Sequence, residues 1–279
     1  MRITAHTRVF GLLGHPVRHS RSPEIHNQWF AQYGVDAVYV AFEVPPSSGP
    51  DLAGAIRALG LAGVNLTVPY KADVLASLDS VDAVGVASGA VNVVVQEDGR
   101  LHGYNTDGAG LVAALRAEFG PCVAGRRTEV IGAGGAGRAV AAGLAAAGAS
   151  TICLRNRTIG KAEAAVRTLR RAFPQTVFDA GPLVAPGSET QLVVNCTSGP
   201  GAAVVAALDT SALGEDAIWC DINYWMDAPP QVEILSARGV RVQTGLPMLL
   251  HQAALAFEHF TGVRPEIQML GGDNRAPGI

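Results

Sequence analysis

Lysine is scarce in this chain, and one of its two lysines stands where a ligand could reach it. Of the 21 basic residues only Lys71 and Lys161 are lysines, and the rest are arginines. Arginine keeps its proton in proteins, whereas a lysine with a suitably lowered pKa can act as a general acid or base. Lys71 follows a predicted strand over residues 64–68, beyond the carboxyl end, where open α/β sheets bind ligands. The alternative is that a coding bias towards arginine left these two lysines by chance, and the sequence supports it equally.

Three polar residues accompany Lys71 in this predicted arrangement. Asn65 and Thr67 are two positions apart on one strand, so their side chains share one face of it. Asp107 follows a later predicted strand and opens a helix. It could cap that helix, or it could pair with Lys71. The residues alone leave both possibilities open.

Two serines precede the first predicted helix, residues 23–33. Ser22 followed by Pro23 is typical of an N-cap with proline at the first helical position. With Ser20 it would present two hydroxyl groups at a helix N-terminus, a good place for a small carboxylate. Capping alone explains Ser22 but leaves Ser20 without a role. A helix cap and a carboxylate site are therefore equally well supported by the sequence.

Three histidines near this segment invite a metal interpretation, which the sequence does not favour. His15 and His19 have HxxxH spacing, but His15 precedes Pro16 and lies before the helix, so this spacing does not place the two on one helical face. No acidic or cysteine residue nearby completes a ligand set. We therefore predict no metal site.

A glycine-rich turn is the firmest signal in the chain. Gly-Ala-Gly-Gly-Ala-Gly at 132–137 follows a predicted strand, residues 129–131, and precedes a predicted helix, residues 138–147. Gly132 permits the tight turn, Gly134 lets the backbone approach a pyrophosphate, and Gly137 allows close packing of helix on strand. A phosphate would lie at the helix N-terminus. The alternative is a tight turn without a ligand.

The residues after the next predicted strand, 151–154, indicate which dinucleotide is bound. NAD-binding domains usually place an acidic residue there for the ribose hydroxyls. This strand is followed instead by Arg155-Asn-Arg157-Thr158, with Lys161 one turn further. Two guanidinium groups suit a 2′-phosphate, so NADP is favoured over NAD. A solvated start to the next helix is the alternative.

Composition limits the classes of protein and of binding partner that remain possible. The chain has 279 residues, which suggests roughly two domains. A net charge of −3 without a basic block disfavours nucleic acid or an anionic membrane surface as partner. Four scattered cysteines without a CxxC pair indicate reduced thiols. The polar first ten residues and the lack of a long apolar run favour a soluble, cytoplasmic protein.

Strand and helix patterns alternate along the chain, which predicts an α/β protein with mostly parallel sheets. Further strands are predicted over residues 9–13, 38–44, 91–96, 101–104, 176–178, 192–194, 218–222 and 240–243. Further helices are predicted over 52–59, 71–78, 108–119 and 246–260, and between most of the strands of the second half. Asp98-Gly99 suits a hairpin turn between two of these strands. Residues 181–190 form a looser connection, and 271–279 a loose tail.

The last predicted helix is apolar almost all round, which indicates burial. We expect it to return to the first domain. The predicted domains are residues 1–106 with 246–279, and a Rossmann-type domain over residues 107–245.

Nine short motifs occur along the chain in a fixed order. They lie at residues 19–23, 25–27, 65–71, 89–92, 105–108, 132–137, 156–158, 195–198 and 248–254. Each is common by itself, but the series resembles the shikimate dehydrogenase family over nearly the whole chain.

This resemblance implies reversible, NADP-linked reduction of 3-dehydroshikimate to shikimate. It implies an N-terminal substrate domain, an NADP-binding domain, and no macromolecular partner beyond a second copy, as monomer or homodimer. Lys71 matches the family's acid–base lysine and Asp107 its partner. The residues implied for the substrate are Ser20, Ser22, Asn65, Thr67, Asn92, Tyr224 and Gln252. Those implied for the cofactor are Gly132, Ala133, Gly134, Gly135, Ala136, Gly137, Asn156, Arg157, Thr158, Lys161, Thr197 and Gly245.

Three departures from the family pattern bear on substrate range and, at Lys161, on how firmly the 2′-phosphate is held. Val93 replaces the usual threonine, Lys161 replaces a commoner arginine, and the segment from Tyr224 to Pro230 differs from the usual run. Quinate/shikimate or aminoshikimate dehydrogenase activity is the nearest alternative. A non-catalytic NADP sensor would be expected to lack Lys71 or Asp107, and both are present. A structural protein that presents the last helix is the third alternative.

Overall fold

Two six-stranded sheets form the frame of the structure. This is a computed structural model, and it describes residues 3–197, 200–224 and 229–267. Contacts between Cα atoms divide the chain into two units, one of Met1–Thr106 with Gln252–Ile279 and one of Asp107–His251. Residue 246, the predicted point of return, lies in the helix Gly245–Thr261, which runs through the boundary at Gln252.

The sheet of the first unit is mixed, because a hairpin joins three parallel strands. Its strands are β1 (Arg8–Gly14), β2 (Ala37–Glu43), β3 (Gly63–Leu66), β4 (Ser80–Val81), β5 (Val93–Glu97) and β6 (Arg100–Tyr104), in the order β2-β1-β3-β5-β6-β4. The first three are parallel, and β5 is antiparallel to both β3 and β6. The predicted turn between β5 and β6 is confirmed, since Asp98 and Gly99 have φ of 49° and 77°.

Three short helices belong to the first unit. They are α1 (Ser22–Gln32), α2 (Leu52–Ala58) and α3 (Ala83–Ser88). Helix α3 was not predicted, although its signals are present in the sequence. Asp82 caps it by accepting the N–H of Gly85 at 2.7 Å, and Gly89 ends it with φ of 60°.

Aromatic residues from α1 and from the last helix of the chain build part of the first unit's core. The ring of Phe10 lies 5.3 Å from that of Phe30 and 4.8 Å from that of Phe260. A Cβ on Gly63 would come within 2.8 Å of the Phe260 ring, so this strand position needs a glycine. The predicted return of the C-terminal helix to the first domain is confirmed.

The sheet of the second unit is entirely parallel. Its strands are β7 (Arg127–Ile131), β8 (Thr151–Arg155), β9 (Val177–Gly181), β10 (Leu192–Asn195), β11 (Ile218–Asp221) and β12 (Arg241–Gln243), in the order β12-β11-β10-β7-β8-β9. The remaining helices are α4 (Asp107–Phe119), α5 (Gly135–Ala146), α6 (Ile159–Ala172), α7 (Pro200–Ala206), α8 (Pro230–Ala237) and α9 (Gly245–Thr261). The strand order reverses between β7 and β10, which is the doubly wound Rossmann arrangement.

The segment after β3 differs from its predicted structure. The sequence predicts a helix over residues 71–78, but the chain turns there and forms only a 3₁₀ helix, Leu75–Ser77. The carbonyl of Lys71 accepts the N–H of Val91 at 2.7 Å. An α-helix would need that carbonyl for the residue four positions on, so pairing with a distant segment prevents the helix.

Two further expectations concern the chain as a whole. The predicted tail, residues 271–279, lies outside the described residues. Among the residues that are described, no helix is both long enough and apolar enough to cross a membrane.

Candidate active site

The polar residues predicted in the first unit gather at one edge of its sheet. Strands β1 and β3 are parallel, so both carboxyl ends reach this edge. Strand β5 runs the other way, and its first residue Val93 pairs with Asn65 near the end of β3. Strand β6 reverses again and ends at the same edge, where Tyr104 pairs with Val93. The topology therefore places Asn65, Asn92 and Asn105 beside one another.

Buried amides form a network at this edge. Asn65 donates to the carbonyl of Asn92 at 3.1 Å and accepts the hydroxyl of Tyr39 at 2.8 Å. The Asn92 amide donates to Thr106 Oγ1 at 2.9 Å and to Gln252 Oε1 at 3.3 Å. Asn65 and Asn92 are buried. The network fixes the orientation of both amides, which is what recognition of hydroxyl groups requires.

Asn92 and Gln252, both implied for the substrate by the resemblance, are brought together by these contacts. The carbonyl oxygen of the Asn92 side chain also accepts the backbone N–H of Thr106 at 2.8 Å. Tyr39 and Thr106 also belong to this network, and neither was predicted from the sequence. Thr106 lies between two residues of a recognised motif, but Tyr39 is distant in sequence and only the pairing of strands brings it near.

The two serines do not have the predicted capping geometry. Ser22 is the first residue of α1, Arg21 is the N-cap, and the described structure has no side-chain cap there. Instead the Ser22 N–H donates to Ser20 Oγ at 3.2 Å, and the two hydroxyl oxygens lie 3.2 Å apart. The prediction of Ser22 as the N-cap is therefore wrong, whereas the two hydroxyl groups do converge at the helix N-terminus.

Thr67 and Lys71 continue the chain beyond β3. Thr67 donates its N–H to the carbonyl of Leu13 at 3.0 Å, and its methyl group would overlap a Cβ on Gly14. Gly14 thus lets Thr67 lie directly beside the end of β1. Lys71 is half-buried, and its backbone is held by the bond to Val91.

In the second unit the glycine-rich turn has the geometry of a phosphate-binding loop. Gly132 has φ of 105°, which other residues rarely adopt. A Cβ on Gly137 would overlap the carbonyl oxygen of Gly132, so the helix can approach the strand only with glycine there. Gly134 has an ordinary φ of −75°, and a Cβ there would meet nothing within 4 Å. This glycine leaves open space, here called the cradle, at the helix N-terminus, where free N–H groups favour an anion.

Helix α5 begins earlier than predicted, at Gly135, so its N-terminus lies inside the glycine run. The run supplies Gly135 and Ala136 as the first residues of the helix, whose free N–H groups favour an anion. Glycine's low helix propensity explains why the sequence predicts a later start. Ala133 donates its N–H to Asn156 Oδ1 at 3.1 Å.

Asn156 ties the glycine turn to the segment that distinguishes NADP from NAD. It accepts from Ala133 and donates to the carbonyl of Thr158 at 2.8 Å. Arg157, Thr158 and Lys161 are exposed, Lys161 at the start of α6. The described residues thus present an arginine and a lysine beyond the end of β8.

Arg155 does not join them. Its Nη1 lies 2.9 Å from Asp179 Oδ2 and its Nε lies 3.9 Å from Glu129 Oε2. Burial raises the pKa of Glu129, and the nearby guanidinium opposes that shift. The expectation that both guanidinium groups are available to a 2′-phosphate is thus wrong, because that of Arg155 is paired with acidic residues of the neighbouring strands.

The other predicted residues of this unit lie at carboxyl ends or helix starts. Asp107 is the first residue of α4 and is buried. Thr197 and Tyr224 follow β10 and β11, and Gly245 begins α9. A Cβ on Gly245 would overlap the carbonyl oxygen of Ile222, so this glycine allows a close approach to the loop after β11. Residues 225–228, most of the departing segment, lie outside the described residues, as does Ser198.

Helices α4 and α5 cross at two glycines. A Cβ on Gly108 would overlap the carbonyl oxygen of Ala139, and one on Gly143 would overlap the backbone of Gly108. This close approach fixes the start of α4, and hence Asp107, against the helix that follows the glycine turn.

Comparison with known proteins gives matches over nearly the whole chain. The model of the shikimate dehydrogenase substrate binding domain matches residues 12–94, and that of the shikimate 5′-dehydrogenase C-terminal domain matches residues 245–268. The NADP⁺-dependent shikimate dehydrogenase of Geobacillus kaustophilus is 42% identical over 268 residues, covering 94% of this chain and 96% of that protein.

Solved structures give the same result. A shikimate dehydrogenase crystallised with NADP⁺ has a TM-score of 0.86 and 36% identity, covering 95% of this chain and 93% of that one. The shikimate 5-dehydrogenase of Thermus thermophilus, crystallised with NADP(H) and shikimate, has a TM-score of 0.78 and 36% identity, with coverage of 93% and 95%.

Proposed function

The chain belongs to the shikimate dehydrogenase family, and on that premise we propose that it catalyses the reversible oxidation of shikimate to 3-dehydroshikimate with NADP⁺. In the forward direction shikimate and NADP⁺ give 3-dehydroshikimate, NADPH and a proton. The observation that carries the proposal is the pair of sites built at carboxyl ends of strands. One is a cradle for a pyrophosphate, and the other is a fixed set of amides and hydroxyl groups.

The open space at Gly134 supports a bound dinucleotide, because no feature of the fold requires a glycine there. We assign the cofactor to the second unit, to the turn from Gly132 to Gly137 with Asn156, Arg157 and Lys161. NADP accepts or supplies the hydride when it is bound. Arg157 and Lys161 would hold its 2′-phosphate, since both are exposed cations next to that turn.

We assign the substrate to the first unit. Ser20 and Ser22 would hold the carboxylate at the N-terminus of α1, and Asn65, Thr67, Asn92 and Gln252 the ring hydroxyl groups. Support comes from the fixed hydrogen bonds of Asn65 and Asn92 at 3.1 and 2.9 Å. We propose Tyr224 as a further carboxylate ligand.

The proton would move through Lys71. As shikimate is oxidised, the hydroxyl at C3 loses its proton to the Lys71 amine while the hydride leaves the same carbon. In reduction the ammonium returns the proton to the carbonyl oxygen. Asp107, as partner of Lys71, would hold the amine in position and stabilise its charged form.

Initial rates with shikimate and quinate, each with NADP⁺ and NAD⁺, test the function. We expect fast turnover of shikimate with NADP⁺. A preference for quinate or NAD⁺ would contradict the proposed specificity, and no turnover with any pair would contradict the proposed activity.

Variants at Lys71 test the mechanism. Lys71→Ala should lose about 10²- to 10⁴-fold in kcat, the usual contribution of a general acid–base group. Lys71→Arg should be nearly as slow, since it keeps the charge but not the proton transfer. Binding of NADPH, followed by its fluorescence, should be unchanged in both. A normal kcat in Lys71→Ala would overturn the assignment.

We also propose that the enzyme works in the cytoplasm as a monomer or homodimer. Its four cysteines are all free thiols, as a reducing compartment allows. Light scattering coupled to size-exclusion chromatography would give the oligomeric state.

A further inference from the structure

Four polar side chains close a ring of hydrogen bonds beyond β10 and β11. Asn195 donates to Asp221 Oδ2 at 2.7 Å. Asp221 Oδ1 accepts the backbone N–H of Asn223 at 2.9 Å and its side-chain amide at 2.5 Å. The same amide donates to the carbonyl of Thr197 at 3.0 Å. Thr197 completes the ring by donating its N–H and hydroxyl to Asn195 Oδ1 at 3.0 and 2.8 Å.

Three of the four ring residues are buried, and Thr197 is partly exposed. Asn195, Asp221 and Asn223 have exposed fractions of only 2%, 3% and 2%. Buried hydrogen bonds of this kind fix one arrangement, because each broken bond leaves a buried polar group without a partner. The two loops that meet here are therefore held in a single relative position.

Asn223 is the member that joins the two loops. Asn195 and Asp221 end neighbouring strands, which the sheet already aligns. The contact from the loop after β11 to the loop after β10 is made by the Asn223 amide on the Thr197 carbonyl. The methyl group of Thr197 lies 3.2 Å from the place of a Cβ on Gly132, so the ring extends to the glycine turn.

Residues assigned to both ligands depend on this junction. The family resemblance implies Thr197 for the cofactor, and Tyr224, next to Asn223, is a proposed ligand of the substrate. Gly245, also in the cofactor set, packs against the backbone of Ile222 and Asn223. A shift of the loop after β11 would move all of these contacts together.

We propose that Asn223 is a positioning residue for hydride transfer, which locks the loop carrying Tyr224 to the loop carrying Thr197. The proposal rests on the proposed function. In the proposed arrangement Asn223 contacts neither the substrate nor the cofactor, and it acts through Thr197 and Tyr224. Small displacements of reacting groups are costly, since about 1 Å can lower a rate about 10²-fold.

The test compares Asn223→Ala with Gln243→Ala. Gln243 is another buried amide of the second unit and is not one of the four ring residues; it donates to the carbonyl of Ala114 at 3.1 Å and accepts from the Cys220 thiol at 3.9 Å. Three quantities are measured in each variant: kcat with shikimate and NADP⁺, the kinetic isotope effect with shikimate deuterated at C3, and the Kd of 2′,5′-ADP. The last probes the adenosine end of the cofactor site and reports on the fold of the unit.

We expect Asn223→Ala to lower kcat about tenfold or more, to raise the isotope effect, and to leave the Kd of 2′,5′-ADP within about twofold. Gln243→Ala should keep both kcat and the isotope effect. Unchanged kcat in Asn223→Ala would overturn the proposal, as would equal losses of kcat and of 2′,5′-ADP binding.

A second variant keeps the test valid if the alanine variant does not fold. Asn223→Ser retains a polar group beside Asp221 but is too short to reach the Thr197 carbonyl, so the same loss of kcat is expected. The unaltered enzyme separates this proposal from the proposed function. If it fails to oxidise shikimate, the function is wrong, whereas if it is active and the Asn223 variants match it, only the positioning role is wrong.

Discussion

Two arginines at the end of β8 have different roles because their neighbours differ. The guanidinium group of Arg155 is paired with Asp179 and Glu129 on the two neighbouring strands, and only 14% of its side chain is exposed. Arg157, two residues later, is exposed beside Asn156, which contacts the glycine turn. Charge and spacing do not separate the two residues in the sequence. The acidic partners that separate them come from β7 and β9, which only the folded sheet brings together.

Arg157 should therefore govern the preference for NADP⁺. We expect Arg157→Ala to raise the KM for NADP⁺ about 10- to 100-fold, because a charge-assisted contact with phosphate is lost. The KM for NAD⁺ should change little. Arg167→Ala is the matched control, since it removes the same charge from an exposed position on α6, the helix that begins two residues after Arg157. Equal effects in both variants would mean that Arg157 acts only through the net positive charge of this surface and does not contact the 2′-phosphate.

At the scale of elements, two glycines in the turn between β7 and α5 have different roles. Gly134 is needed for the ligand, and Gly137 is needed for the fold. A Cβ on Gly134 would meet nothing, whereas one on Gly137 would strike the backbone of Gly132. Gly134 is the N-cap of α5, where threonine is about as favourable as glycine. Gly134→Thr therefore fills the cradle without penalising the helix.

We expect Gly134→Thr to weaken NADPH binding about 10- to 100-fold and to leave the melting temperature nearly unchanged. Gly137→Ala should lower the melting temperature, because the backbone it strikes cannot move aside. Titration of NADPH fluorescence and thermal unfolding measure the two effects. Normal NADPH binding by Gly134→Thr would refute the assignment of the cradle.

The elements that could be predicted from the sequence are those whose signals are local. The glycine turn has its strand and helix on either side, and Asp98-Gly99 specifies its hairpin by conformation alone. The expected helix after β3 is wrong because Val91, twenty positions away, takes the carbonyl of Lys71. Helix α3 was predictable from Asp82 and Gly89, whose spacing is that of a cap and a stop.

The residues of the candidate site likewise divide into those with a local sequence signal and those without one. Motifs identify Asn65, Asn92 and Gln252, but the Tyr39 hydroxyl that orients Asn65 comes from a strand 26 residues earlier. Likewise, the mixed character of the first sheet depends on how a hairpin pairs with a distant strand. Such pairings depend on contacts that no window of sequence contains.

At the scale of the whole molecule, a buried histidine links the beginning of the chain to its last helix. His26 of α1 is stacked on Tyr39 at 4.4 Å, with Phe257 of α9 at 6.2 Å. Its Nδ1 has no hydrogen-bond partner among the described residues. Burial lowers the pKa of His26 from 6.5 to about 3. The folded protein therefore keeps this ring neutral where an unfolded chain would protonate it.

The consequence is a loss of stability in mild acid. Below pH 6.5 the unfolded state binds a proton at His26, and the folded state does not until about pH 3. The free energy of unfolding should then fall with decreasing pH across that window, by about 1.4 kcal/mol per pH unit from this residue. His26→Phe removes the proton site and should show a shallower fall between pH 6 and 5 in urea unfolding followed by circular dichroism.

Phe30→Leu serves as the control for this measurement, since it perturbs the same aromatic cluster without removing a titratable group. It should be less stable than the unaltered protein at every pH while its dependence on pH stays the same. If His26→Phe keeps the full dependence, the acid sensitivity comes from other groups. If the dependence is lost, the packing that joins α9 to α1 also sets the lower pH limit at which the first unit stays folded, because a protonated ring has no place in that cluster.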